Sequence, residues 1–344
     1  MPKKRFLGCS FPVLVGIIIL FIALLAIGFL AGPLGPKMIG AVGRLINENY
    51  VVPGWIQALS VLGPVKPEPR LPAETVFHIG SFPIANSVIA AWLSIIVLAG
   101  LSYAATRRMK LVPRGVQNLL EFALEALLSF CHSVAGEKNG RKFFPIVATI
   151  FLFVIFNAWL SLLPGFGTIL IANHEGHAIH LIRGANTDIN MPLAIALASF
   201  ITVEIFGIRT LGVRYLRKFL NLGQFARSLR QIFTGKIKSG LSGLLFGGID
   251  IFVGILETLS ELIRLVSFTF RLFGNMTAGE ILLLIVGFLM PYVVSVLFFG
   301  LELLIGFVQA LVFAGLTLVF LTMAVAQHGE ESEHDKEKPS TVST

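Results

Sequence analysis

The chain has 344 residues, 55% of them hydrophobic and only 13% charged, with a net charge of +8 and a mean hydropathy of +0.85. A soluble domain carries about 25% charged residues, so a soluble fold is excluded, and apolar runs of about 20 residues exclude the ten-residue alternation of barrel strands. The positive charge gathers in a few connectors, the pattern of a polytopic helical membrane protein, and no nucleic-acid role is expected from it.

Residues 1–32 open with Lys3, Lys4 and Arg5 and continue apolar from Phe11 to Ala31. The core is longer than the roughly 7–15 residues of a cleaved signal peptide, so residues 1–32 are expected to be a retained membrane anchor, with a signal segment as the alternative, and in either case the amino terminus starts in the cytoplasm. Residues 33–83 are rich in proline and glycine and read as an external segment with some local structure. A span follows at 84–106 and ends on Arg107, Arg108 and Lys110, which places its carboxyl end in the cytoplasm. Residues 116–135 carry Glu121 and Glu125 on one side and leucine and phenylalanine on the other, as expected of an amphipathic helix on the inner surface or a shallow hairpin. The next span covers about 143–163 and the one after it about 190–208. The connector 209–238 holds Arg209, Arg214, Arg217, Lys218, Arg227, Arg230, Lys236 and Lys238 without an acid, so it marks the inner face and could meet anionic headgroups. Two long apolar segments, about 245–287 and 292–326, turn at Pro291, and residues 329–344 form a polar tail expected to be disordered and cytoplasmic.

Few metal or thiol signals survive inspection. Cys9 and Cys131 are far apart and make no disulfide or metal framework. The HEGHAIH stretch fails the HExxH register, because His174 and Glu175 are followed by His177 and then Ala178. No metal and no cofactor are expected.

The stretch from Glu257 to Glu280, ETLSELIRLVSFTFRLFGNMTAGE, holds Glu257, Glu261, Arg264, Arg271 and Glu280 in apolar surroundings. A charge in lipid costs at least a few kcal/mol, so such groups mark function. At about 100° per residue Glu257, Arg264 and Arg271 fall within roughly 40° of one another, Asn275 extends that stripe, and Glu280 points about 180° away. One acid–base stripe with a separate acid reads as part of an ion path. Glu302 is a lone acid in the last apolar helix, seven residues before Gln309 and on the same face. Two bland readings stay open: Arg264 as a structural partner of Glu257 or Glu261, and Asn275 and Gln309 as ordinary interhelical hydrogen bonders. Trp159 and Tyr292 are expected as interfacial anchors.

RLFGNMTAGE at residues 271–280 resembles the signature of subunit a of the membrane sector of F-type ATP synthases. The resemblance runs from about residue 75 to 328 and includes FNAWLSLLPG at 156–165, TDIN at 187–190 and the final QALVFAGLTLVFLTMA. It implies an all-α polytopic membrane protein with about five to six membrane helices, the two long C-terminal ones strongly tilted and packed against a ring of c subunits. It further implies a proton-translocating stator subunit with two aqueous half-channels, b-type peripheral-stalk partners, the remainder of the F0F1 complex and a bacterial-type inner membrane. By resemblance, Arg271 is the arginine at the rotor interface, Asn275 and Gln309 its polar neighbours, Glu280 the acid of the proton intake and Glu257 an acid of the cytoplasmic exit. The sequence departs from many bacterial members where they place a histidine facing the Glu280 position; here Glu302 stands instead. Two nearby carboxyls share a proton, so Glu280 and Glu302 are expected to act together. Without a GxxxxGK[ST] loop the chain performs no ATP chemistry. A secondary transporter would need internal repeats, which are not visible; a metalloprotease needs the failed His motif; and a purely structural assembly subunit leaves the five charges unexplained.

Overall fold

The computed structural model describes residues 5–6, 9–46, 51–54, 73–163, 166, 169–172, 178–212, 215 and 237–336. The His174–His177 part of the histidine-rich loop and most of the basic 209–238 connector lie outside them. The described residues form seven helices: α1 (Phe11–Ala31), α2 (Leu34–Ile46), α3 (Asn86–Thr106), α4 (Val116–Ser161), α5 (Asn190–Leu211), α6 (Ile237–Leu289) and α7 (Val293–Lys336). Three short antiparallel hairpins join them, β1 (Arg5–Phe6) with β2 (Cys9–Ser10), β3 (Thr75–Ile79) with β4 (Phe82–Ala85), and β5 (Leu170–Ala172) with β6 (Ala178–His180). Five helices are long and apolar enough to cross a membrane, or six if α1 and α2, bent by 79°, make one broken span. The chain is therefore an all-α, multi-pass membrane protein.

The break in α4 follows from one residue. Gly136 has φ 75° and ψ 167°, a conformation open in practice only to glycine. The chain doubles back there so closely that a Cβ on Gly140 would lie 2.7 Å from the Cys131 carbonyl oxygen. The amphipathic 116–135 leg is thus one arm of a helical hairpin, and Leu127 and Cys131 on it are buried. Its second leg begins just after the turn, earlier than the expected 143, and packs with α5, α6 and α7 around Phe143, Val147, Val154, Leu272, Phe313 and Leu318. Phe143 meets Phe206 edge-on at 5.4 Å and Phe268 meets Phe313 at 4.9 Å.

Close approach between these helices relies on small residues, as it must where lipid competes equally for apolar side chains. A Cβ on Gly306 of α7 would lie 2.9 Å from that of Ala158 in α4, and the Ser199 and Thr317 hydroxyls hydrogen-bond at 2.7 Å between α5 and α7. Trp159 is half-exposed as an interfacial ring would be, and its indole N–H also donates to the Leu303 carbonyl at 3.0 Å, tying α4 to α7. At the turn between α6 and α7, the α-carbons of Gly28 in α1 and of Gly32 just after it rest on the Pro291 and Leu289 carbonyls. The first apolar run, about which the resemblance says little, is thereby seated on the C-terminal hairpin.

One expectation is corrected. The tail from residue 329 does not lose helical structure at once; α7 runs on to Lys336. Extending an existing helix adds one bond per residue fixed, and glutamate and lysine are good helix formers, so a polar composition alone does not stop it.

Candidate functional site

At one end of the bundle a 3-10 turn (Ala185–Thr187) touches α3, α4 and α6. Asp188 fixes it: one carboxylate oxygen accepts from the Ser87 hydroxyl of α3 at 2.8 Å, and the other from the Asn190 backbone N–H at 3.1 Å. The TDIN stretch is thus a joint between α3 and the start of α5. Asn86 adds a second tie by donating to the His180 carbonyl at 3.2 Å.

This joint presents Arg183 to α6. Its Nε donates to Glu280 Oε1 at 3.1 Å and its Nη2 to Oε2 at 3.0 Å, a two-pronged pair with the arginine buried. Glu302, only 6% exposed, reaches the same region from α7, with its carboxyl against the α-carbon of Gly279 beside Glu280. Among the described residues no cation pairs with Glu302. Among the described residues, buried polar atoms without a hydrogen-bond partner include both side-chain polar atoms of Asn157 and of Asn186, Asn86 Oδ1 and Thr277 Oγ1. Buried amides and hydroxyls of this kind are normally satisfied by water.

One turn deeper along α6, Asn275 Nδ2 donates to Gln309 Oε1 of α7 at 2.6 Å. Arg271, a turn before Asn275, is exposed on the outside of the bundle, with its guanidinium carbon 5.9 Å from the centre of the Phe268 ring. No described carboxylate pairs with it. On the same exposed face stand Ser260, Ser267, Gly274 and Ala278, all small.

Toward the opposite end the acid–base stripe divides. Arg264 pairs with Glu261 at 2.9 Å and lies 3.9 Å above the Phe320 ring. Glu261 is 3% exposed. The structural reading of Arg264 therefore stands on named contacts, whereas Glu257 is half-buried one turn earlier. Glu204 of α5 accepts from the Tyr215 hydroxyl at 3.2 Å. Burial, then the Glu204 and Glu261 carboxylates, pushes that phenol above its usual range. The charges of α6 thus join a compact Glu204–Tyr215–Glu261–Arg264 group.

Of the residues expected from sequence, Glu280 and Glu302 approach the same stretch of α6, Asn275 and Gln309 bond directly, and Arg271 stands apart on the outer face. Arg183, Glu204 and Tyr215 were missed. Arg183 lies in the connector between the spans at about 143–163 and 190–208. Glu204 was legible, being an acid alone in an apolar run like Glu302.

Residues 88–322 match the family described as ATP synthase A chain. The chain belongs to this family. It is 30% identical over 254 residues to the ATP synthase subunit a of Moorella thermoacetica, an alignment covering 74% of this chain and 96% of that one. It is 31% identical to the subunit a of Gloeobacter violaceus, covering 71% of this chain and 85% of the relative. Identity to the subunit a of Campylobacter jejuni subsp. doylei is 33%, with 72% of this chain and 88% of the relative covered. The region matched to the family takes in all but the N-terminal part of the bundle, including the Arg183–Glu280 pair, Arg271, Glu302 and Gln309.

Proposed function

We propose that the chain is the stator half of a rotary proton path, with Arg271 as the fixed charge facing a ring of c subunits. The observation that carries this reading is an exposed arginine on a face of mostly small and apolar residues, with no described carboxylate paired to it. Such a charge in lipid is costly, and a carboxylate arriving on a partner would match it. The small residues Ser260, Ser267, Gly274 and Ala278 on that face would let partner helices come close.

The chemistry follows from the guanidinium. A guanidinium stays charged when desolvated, where a lysine could give up its proton. A ring carboxylate beside it is favoured in the ionised form and releases its proton. The same fixed charge stops a proton from crossing directly between the two half-channels. The Asn275–Gln309 pair supplies polar neighbours that moderate the attraction so that the ring moves on. The driving force is about 2.3 kcal/mol per charge per 100 mV, so a rotor that sums several protons suits it.

On the outer side, the Glu280 and Glu302 carboxyls and the partnerless polar atoms of Asn86, Asn157, Asn186 and Thr277 support a hydrated intake. On the cytoplasmic side, Glu257 would lie on the exit path beside the Glu261–Arg264 pair. Peripheral-stalk subunits of b type and the remainder of F0F1 complete the assembly, with the C-terminus in the cytoplasm.

Crosslinking tests the interface. In a chain with Cys9 and Cys131 replaced by alanine, a single cysteine at Gly274 or Ala278 should crosslink to a cysteine in the c subunit within the assembled complex. One at the exposed Trp92 of α3 should not. Equal yields from all three positions, or none from the first two, would remove the ring from this face.

A further inference from the structure

Glu280 and Glu302 are alike in chemistry and unlike in surroundings. Glu280 is held by both prongs of a buried guanidinium, at 3.1 and 3.0 Å, and its side chain keeps 33% exposure. Glu302 is buried against the Gly279 backbone with no described cation beside it. A carboxylate gripped by arginine is stabilised as the anion. A buried carboxyl with no cation bears the full desolvation cost whenever it ionises. Two acids in environments that separate them in this way take different roles.

We propose that Arg183 is a positioning residue of the proton intake: it fixes Glu280 as the permanently charged member of the acid pair and so assigns the moving proton to Glu302. This deepens the proposed function and rests on it. In each cycle the Glu302 carboxylate takes a proton from water on the outer side, forming its O–H bond. That bond breaks when the proton passes to a ring carboxylate leaving the neighbourhood of Arg271, and Glu302 is left ionised for the next. Glu280, bound to Arg183 throughout, neither gains nor loses a proton. Its fixed negative charge opposes a second one on Glu302, which keeps Glu302 loaded until the ring accepts.

Arg183 reaches Glu280 because Asp188, Ser87 and the 3-10 turn brace the loop against α3 and α4. The fork geometry matters as well as the charge: lysine supplies a point charge without two parallel N–H donors. Without the guanidinium, the two carboxyls become near equivalents and hold one proton between them, which slows its release.

The test is ATP-driven proton pumping by the whole F0F1 complex in inverted membrane vesicles, with assembly measured for every variant. Arg183→Gln is expected to lower pumping at least about tenfold at equal assembly, and Arg183→Lys to restore part of it. The double variant Arg183→Gln, Glu280→Gln removes the competing acid and leaves no buried charge unmatched. It is expected to pump at least about threefold faster than Arg183→Gln alone, though below wild type because Glu280 no longer helps to keep Glu302 loaded, whereas Glu302→Gln is expected to fall by at least about tenfold. An assembled double variant that does not pump would overturn the inference, because Glu280 would then carry the proton. Failure of the double variant to assemble would overturn it too, making the pair a structural bridge. Collapse of the underlying reading looks different: Glu302→Gln would then pump like wild type.

Discussion

Two arginines, Arg183 and Arg271, meet opposite surroundings. The first is buried and gripped by Glu280; the second is exposed, with the Phe268 ring beside it and no described carboxylate paired to it. In the proposed function the same functional group serves once to hold a charge still and once to await a mobile one. Sequence patterning separated Glu280 from the Arg271 stripe, since the helix period fixes direction around the axis. It could not reveal Arg183, because a residue in a loop has no period and its partner lies 97 positions away. Gly279 is the residue at which this arrangement is most easily disturbed. A methyl group there would overlap the Glu302 carboxyl. That carboxyl is the end of a flexible side chain and can turn aside for about 0.5–1.5 kcal/mol. Gly279→Ala should therefore leave the complex assembled with nearly unchanged thermal stability, while pumping drops by at least about tenfold from misplacement of the acid. Normal pumping would show that the position of Glu302 does not matter.

At the scale of elements, the spans at 84–106 and 190–208 and the two long C-terminal segments were legible from length and hydropathy, and the membrane-length apolar stretches found there agree within a few residues. The 116–135 segment was legible as amphipathic, but its place in the bundle was not. That depends on Gly136, one glycine among 34, whose positive φ sets the hairpin. Gly136→Ala keeps every apolar contact and alters only the backbone cost, about 1–3 kcal/mol for a residue held in that region. Purified complex carrying it should melt at a lower temperature than wild type; an unchanged melting curve would mean the hairpin tolerates another turn conformation. The charge group at the other end illustrates a second limit. Arg264 had two candidate partners by spacing, Glu257 and Glu261; its pair with Glu261 forms where it also lies over the Phe320 ring.

At the scale of the whole molecule, the features divide between the two ends and the outer face of the C-terminal helices. Hydrogen-bonded joints, buried amides and the acid pair gather where α3, α5 and α7 begin. The Glu204–Tyr215–Glu261–Arg264 group lies toward the other end. Arg271 stands between them on the surface that the rest of the bundle leaves open. This is the arrangement expected of a member of the ATP synthase A chain family whose proton route is completed by a moving partner. The most direct measurement is ATP-driven proton pumping in inverted vesicles, with wild type and Arg271→Ala compared at equal complex assembly. Loss of pumping with the complex intact is the predicted result, since the neighbouring Arg264 is already paired with Glu261. Pumping at the wild-type rate would contradict the central role of Arg271.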